Sequence, residues 1–339
     1  MHLLNGVKLK ANAKLNLSLC VDGRISDDFH GVRTVVCPIL LHDTIEITAT
    51  PNTSNKIEII SEFIPDPSNS NTSNSNKKEF DILNSPKNLA YQAASLFLDI
   101  INSKYSIKIK LLKAIPTQAG LGGGSSDAAT VLLGLSQLIR KTANIDPLLL
   151  ELAAKLGSDV VALLFGDIIF LHGRGEKHCQ LNIHKSSNFF DFLNSLKLIL
   201  VKPEIGVDTA WAYKSLRRQQ ILKPNEELRI GKQEESDSFE SMGISINEVR
   251  ESFISKPCNL KPWVNDFEPT IRQLVPEVDR AFNELYSLGA KKVILAGSGS
   301  CVAGVFMQEC DVSSVISNLR NNLDDTWFIR ESRFVHTSC

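Results

Sequence analysis

Apolar residues occupy every second position from Val7 to Leu19 (Val7, Leu9, Ala11, Ala13, Leu15, Leu17, Leu19), which predicts a strand with one apolar face. Lys14, Asn16 and Ser18 have the opposite parity, so Lys14 and Asn16 project together to a side that suits the wall of a polar pocket. The segment from Val32 to Ile47 predicts further strands, with Asp43 near a turn. From Asn88 to Ile101 the period lengthens, and Leu89, Ala93, Leu96 and Phe97 line one side of a helix. Residues 105–112 predict a strand that leads through Lys113-Ala114-Ile115-Pro116 into a glycine-rich turn. The helix after that turn carries Ala128, Val131, Leu132, Leu135 and Leu138 on one face. A short helix starts at Asp146-Pro147, an N-cap followed by the proline that suits a first helical position, and stops at Gly157. The runs VVALLF and DIIFLHG around Gly166 predict a pair of strands, and Leu196 to Val201 another. A helix over 266–288 ends at Gly289. The strands KKVILA and CVAGVFM flank the turn Gly297-Ser298-Gly299-Ser300, and a helix near 312–323 and a strand near 327–335 close the chain. Strands interleaved with helices give an α+β class with mixed or antiparallel sheets.

Composition narrows the function classes. With 339 residues, 43% of them hydrophobic and 22% charged, the chain is long enough for two globular domains. The net charge of −1 offers no general attraction to nucleic acid or to an anionic membrane, so neither is expected as a partner. No apolar run reaches the roughly 18 residues of a membrane-spanning helix. The lysine-broken start is neither a signal nor a transit peptide. Seven scattered cysteines without a CxxC pair indicate neither a zinc site nor a disulfide framework, and a reducing, cytoplasmic setting is expected. Residues 65–78, rich in Asn and Ser, read as a solvated loop insertion, and the charged stretch near 214–256 as a solvated helical face.

The chemistry concentrates at residues 120–126, Gly-Leu-Gly-Gly-Gly-Ser-Ser. Gly120, Gly122, Gly123 and Gly124 lack a Cβ, so their backbone can approach a ligand closely. The helix that follows presents unpaired N–H groups and the positive end of its dipole, an arrangement that favours an anion. It is not a Walker loop, because Gly124 rather than Lys precedes Ser125. The dinucleotide fingerprint fails as well, because Ser125 stands where the third glycine is required. A glycine-rich turn that merely opens a helix is the alternative, and six small residues opening the helix with Asp127 in its first turn weigh against it. Asp159, which follows Gly157-Ser158, is on its own most simply a capping residue.

Three regions together reverse that balance: Ala13-Lys14-Leu15-Asn16-Leu17 with Asp28-Phe29-His30 downstream, Ile115-Pro116 through Ala129, and Leu295-Ala-Gly-Ser-Gly-Ser-Cys-Val302. With Leu156-Gly-Ser-Asp-Val160 and Asn265-Asp-Phe-Glu-Pro269, the chain resembles the GHMP small-molecule kinases, which include galactokinase, homoserine kinase and mevalonate kinase. The resemblance implies an N-terminal ATP-loop domain (1–171) and a ferredoxin-like C-terminal domain (172–339). It implies ATP with Mg²⁺, held at Pro116, Ala119, Gly120, Leu121, Gly122, Gly123, Gly124, Ser125 and Ser126, with Asn88 and Lys113 nearby; no metal ligand is identified. Lys14 and Asp159 are then the catalytic pair, with Asp159 as general base or hydroxyl-orienting group and Lys14 keeping it ionised.

Within the family, the combination of Ala13–Leu17 with Leu156–Val160 points to the branch whose small-molecule substrate is a cytidine diphosphate-linked methylerythritol. Asn16, Phe29, His30, Thr209 and Tyr213 would bind it, Phe29 and Tyr213 flanking the base and His30 bonding its polar edge. The chain departs from the family's usual residues at Asn12 (Pro), Asp28 (Gly), Phe29 (Tyr), Gln118 (Gly), Val161 (Pro) and Asp208 (Ser). The alternatives are a homoserine- or mevalonate-type kinase, and a catalytically silent nucleotide sensor on the same fold; the first lacks a base to stack on Phe29 and Tyr213, and the second has no use for Lys14 and Asp159.

Overall fold

The computed structural model describes residues 6–26, 29–64, 81–173, 177–180, 188–222 and 260–335; the 65–78 insertion and most of the 214–256 region lie outside them. The alternating N-terminal segment forms β1 (Gly6–Ser26), which pairs antiparallel with β2 (Phe29–Pro51) along nearly its whole length. β3 (Lys56–Phe63) runs parallel to β4 (Tyr105–Lys113), and β4 runs antiparallel to β2. β5 (Ile169–His172) and β6 (Lys177–Gln180) complete the sheet on the other side of β2, in the order β3-β4-β2-β5-β6 with β1 also on β2. The expected boundary after residue 171 falls inside β5, and the first sheet runs on to Gln180.

Four helices cover part of this sheet: α1 (Leu89–Ile101), α2 (Gly123–Leu135), α3 (Pro147–Leu156) and α4 (Ser158–Phe165). Ile45, Ile47, Ile107, Ile109 and Leu111 of the sheet pack with Ala93, Phe97, Val131, Leu132, Leu135 and Val160 of the helices in one core. The α1 and α3 boundaries follow from their caps, since Asn88 accepts the Ala90 amide (2.9 Å) and Asp146 that of Leu149 (3.1 Å).

The second sheet has the order β10-β7-β9-β8, all antiparallel, from β7 (Leu196–Lys202), β8 (Lys292–Leu295), β9 (Val302–Met307) and β10 (Phe328–Ser332). In chain order that is fourth, first, third, second, the ferredoxin-like arrangement. Its helices are α5 (Asn188–Asn194), α6 (Thr209–Leu222), α7 (Glu268–Leu274), α8 (Pro276–Ser287) and α9 (Val312–Asn322). The two sheets share a core in which Leu15, Leu17 and Cys37 of the first pack with Leu198, Leu200, Ile294 and Ala303 of the second. Backbone bonds from Leu19 N–H to Val264 C=O and from Leu40 N–H to Arg333 C=O, both 2.8 Å, tie them further. Among the described residues no helix is long and apolar enough to cross a membrane.

Three local expectations are corrected. Residues 160–165 form most of α4 and not a strand. Val160, Val161, Ala162 and Leu164 are all buried, so the run is apolar all round and carries no period to separate helix from strand. The 266–288 helix is two helices, because Val275, held extended (φ −129°, ψ 88°) before Pro276, breaks it. Asp43 is not at a turn but within β2, fully buried.

Leu15 is fully buried in the shared core, so Leu15→Ala should cost about 2–5 kcal/mol of unfolding free energy. Urea denaturation checks this; a cost below about 1 kcal/mol would mean that the seam between the sheets closes over the missing side chain.

Candidate active site

The glycine loop is held from both sides. Gly120 adopts φ +74°, and a Cβ there would fall onto the carbonyl oxygen of Ala296 and lie 3.0 Å from the Gly299 nitrogen. The loop therefore packs directly on the Gly297–Ser300 turn, and only glycine satisfies both the conformation and the space. On the same stretch Ala119 and Leu121 turn into the core, and the Ala119 carbonyl accepts the Cys301 amide at 3.1 Å. Pro116 is partly buried at the loop's entry. Gly122, also at φ +74°, is the N-cap of α2 and offers no side chain to its first turn. The amides of Gly123, Gly124 and Ser125 thus open the helix as an anion cradle. Ser126 is less available, because its hydroxyl donates to the Asn12 carbonyl at 2.7 Å.

Lys14 enters beside the cradle from β1. Its amide donates to the Leu121 carbonyl (2.9 Å), and a Cβ on Gly122 would come within 3.0 Å of its side chain. Breaks in the β1–β2 register on either side of Lys14–Asn16 re-aim the strand here. The Lys14 ammonium donates to Asn16 Oδ1 at 2.8 Å and lies 3.4 Å from Asp159 Oδ2. Lys14 is 3% exposed and Asp159 39%, so a buried cation backs a carboxylate open to solvent. Asp159 sits in the first turn of α4, one residue beyond the Gly157-Ser158 step that opens the helix. Asn16 is buried, and both ends of its amide are engaged, the oxygen by Lys14 and the N–H by Thr34 Oγ1 (2.7 Å), which fixes the Lys14 ammonium.

Opposite this pair stands the start of α6. Thr209 shares a hydrogen bond with Ser298 at 3.1 Å, which links α6 to the second glycine turn. Tyr213 packs edge-on against Phe267 with ring centroids 4.9 Å apart. Burial, helped by the charge of Asp159, pushes the Tyr213 hydroxyl up to about 12, which ties this ring to the same cleft. Phe29 and His30 lie at the start of β2 with their side chains outside the described residues, as is Asp28 altogether.

Two expected nucleotide contacts have structural duties. Asn88 caps α1 and donates to the Leu83 carbonyl at 2.7 Å. Lys113 is buried below the loop, its ammonium bonded to both Asp43 and Asp127. Burial opposes that ammonium, but the two carboxylates outweigh it and raise its pKa. Asp43 also accepts the amides of Ala114 (2.6 Å) and Ile115 (2.8 Å) and so fixes the chain as it enters the loop. No local pattern joins this cluster, because its two carboxylates lie 70 and 14 residues from Lys113 in the chain. Asn265 was legible only as part of a motif. It braces the second glycine turn through the carbonyls of Leu295 (2.9 Å) and Gly297 (2.7 Å).

The cleft thus combines an anion cradle, a buried cation and a carboxylate, on a fold with a ferredoxin-like second half. The models of the GHMP kinases N terminal domain and the GHMP kinases C terminal match residues 88–167 and 256–325. The chain belongs to the GHMP kinases. A 4-diphosphocytidyl-2-C-methyl-D-erythritol kinase of Bacillus velezensis is 32% identical over 95% of each chain, and that of Bacillus subtilis is 33% identical over the same shares. The crystal structure of a 4-(cytidine 5'-diphospho)-2C-methyl-D-erythritol kinase superposes with a TM-score of 0.65 at 26% identity, covering 96% of this chain and 99% of that one. L. major mevalonate kinase, at 16% identity and a TM-score of 0.66 over 98% and 97% of the two chains, shares the fold.

The buried cluster makes stability depend on pH. Asp127 is fully buried, with Oδ1 lacking a hydrogen-bond partner, and burial raises its pKa to about 7 against the pull of Lys113. The fold therefore favours the protonated carboxyl. That contribution is complete below about pH 4, where the unfolded chain is protonated too, and is lost as pH climbs through about 7. Urea unfolding at stepped pH should show this decline, and Asp127→Asn should flatten it; an unaltered slope would place the titration elsewhere.

Proposed function

We propose that this chain transfers the γ-phosphoryl group of ATP to the 2-hydroxyl of 4-diphosphocytidyl-2-C-methyl-D-erythritol, a step of isoprenoid precursor synthesis by the non-mevalonate route. The observation that carries the reading is the Lys14–Asp159 pair, 3.4 Å apart, beside the open amides at the start of α2. The names of relatives aligned over nearly the whole chain support the choice of acceptor.

The cradle fits a polyphosphate. Gly122, Gly123 and Gly124 bring backbone rather than side chains to the surface, and the first-turn N–H groups of α2 donate to anionic oxygens without rearranging. Mg²⁺ bound to the nucleotide would offset its charge; no residue of this chain is assigned as its ligand. Asp159, solvent-facing and held by Lys14, accepts the hydrogen bond of the acceptor hydroxyl and takes its proton as the new O–P bond forms and the bond from the γ-phosphorus to the departing ADP oxygen breaks. In a loose transition state its main contribution is to aim that hydroxyl along the line of transfer. The Lys14 ammonium, buried and fixed by Asn16, stabilises negative charge growing on the attacking oxygen. Thr209 and Tyr213 form the acceptor side of the cleft, with Phe29 and His30 recognising the cytosine through stacking and an edge hydrogen bond.

ATP consumption by the purified chain with Mg²⁺ should appear with the cytidine-linked substrate and not with homoserine or mevalonate. Turnover of either control instead would overturn the acceptor assignment while leaving the kinase. Asp159→Asn should lower kcat by about 100-fold or more with little change in the KM for ATP. A variant with wild-type kcat would remove Asp159 from the chemistry. Phe29→Ala should raise the KM for the cytidine substrate through lost stacking, and an effect confined to ATP would move Phe29 to the nucleotide side.

A further inference from the structure

Gln118 stands where three segments of the cleft meet, in a backbone conformation that a side chain rarely adopts. Its φ of +48° is left-handed, a region that costs a non-glycine residue free energy and that survives where the surroundings impose it. The surroundings here are specific. The Gln118 carbonyl accepts the amide of Ser300, from the second glycine turn, at 3.2 Å and that of Val207 at 3.4 Å. Its side chain lies over Gly206, where an added Cβ would overlap the Gln118 amide oxygen and come within 2.7 Å of the Gln118 Cβ. A large residue at 118 and none at 206 therefore fit as a pair.

The segment that Gln118 touches is rigid in its own right and leads straight into the acceptor side. The buried Lys202 ammonium gathers the carbonyls of Pro203 (2.9 Å), Glu204 (3.4 Å) and Ile205 (3.4 Å), and Ser300 Oγ donates to the Ile205 carbonyl at 2.5 Å. Asp208 then caps α6 by accepting the Trp211 amide at 2.8 Å, and α6 carries Thr209 and Tyr213. A shift at residues 205–207 therefore moves the start of α6 relative to the glycine loop two residues beyond Gln118.

We propose that Gln118 is a positioning residue for the acceptor: its side chain, seated on Gly206, sets the distance between the phosphate loop and the segment that opens α6. This inference rests on the acceptor assignment of Thr209 and Tyr213 made above. A glycine at 118 would keep the loop conformation without strain but would leave Gly206 uncovered. The strained residue is thus retained for what its side chain touches, and relieving the strain should weaken function rather than improve it.

The test uses the full chain with Gln118→Gly, Gln118→Met and Gly206→Ala. Gln118→Gly should have a melting temperature equal to or above that of the wild type, since it removes a left-handed side chain. It should raise the KM for the cytidine-linked acceptor about three- to ten-fold while the KM for ATP stays within about two-fold. Gln118→Met, which keeps the bulk over Gly206, should remain near wild type, and Gly206→Ala should reproduce the glycine variant's loss. A purely structural residue would not produce a KM change opposite in sense to its stability change. Unchanged kinetics in Gln118→Gly, or equal losses for both substrates, would overturn the proposal. A readout independent of turnover is amide hydrogen exchange over residues 204–209, which should accelerate in Gln118→Gly and not in Gln118→Met. If that exchange does not change, the coupling is absent. A wild-type chain that ignores the acceptor would instead overturn the acceptor reading alone, because the exchange comparison still decides whether Gln118 holds the segment.

Discussion

The Ala296 carbonyl occupies the space that a Cβ at position 120 would need, and this close approach of two backbones organises the cleft. Because Gly120 and the Gly297–Ser300 turn touch without side chains between them, the glycine loop is braced by the second half of the chain. The first half supplies the rest of the brace through the Lys14 amide and the Leu121 carbonyl. A loop of this composition would be mobile in isolation, since glycine loses more conformational freedom on ordering than any other residue. Here the loss is offset by packing on both flanks, so the amides of α2 are aimed before any ligand arrives. Preorganisation of that kind is what makes fixed dipoles effective against charge that develops during a reaction.

Two buried lysines flank the same loop and have different duties. Lys113 is surrounded by two carboxylates that are themselves buried, so its charge is consumed inside the fold and its effect is mechanical: it ties β2, β4 and α2 together beneath the loop. Lys14 has an amide oxygen and one carboxylate that faces solvent, so its field reaches the cleft. Desolvation penalises both, and the difference lies in whether the compensating charge is sealed in or left at the surface. That distinction is one of partners and not of residue type.

It also explains what could be read from the chain alone. The period-2 pattern from Val7 to Leu19 and the helical spacing after Ala128 depend on neighbours in sequence, and both elements appeared as expected. Lys14 and Asn16 share the face that their parity predicts, one bonded to the other. Lys113 resembled an ordinary strand-end lysine because its two partners lie 70 and 14 residues away, beyond any local pattern. Residues 160–165 failed for the reverse reason: burial on every side erased the polar positions that would have marked the turn of a helix. Asn88 marks the start of α1 by the local cap on the Ala90 amide, whereas its second bond, from the side-chain N–H to the Leu83 carbonyl, follows no cap spacing.

The core shared by the two sheets has a consequence for how such a chain can change over time. Leu15 and Leu17 interlock with Leu198, Leu200 and Ile294, so neither sheet has a finished apolar face of its own. A hybrid that took its first half from one relative and its second from another would bring together two surfaces shaped against different counterparts. Close-packed interiors tolerate such mismatches poorly. Recombination within this chain is therefore constrained less by the loops that carry the chemistry than by the seam beneath them. Substitutions there have to accumulate in step on both sides.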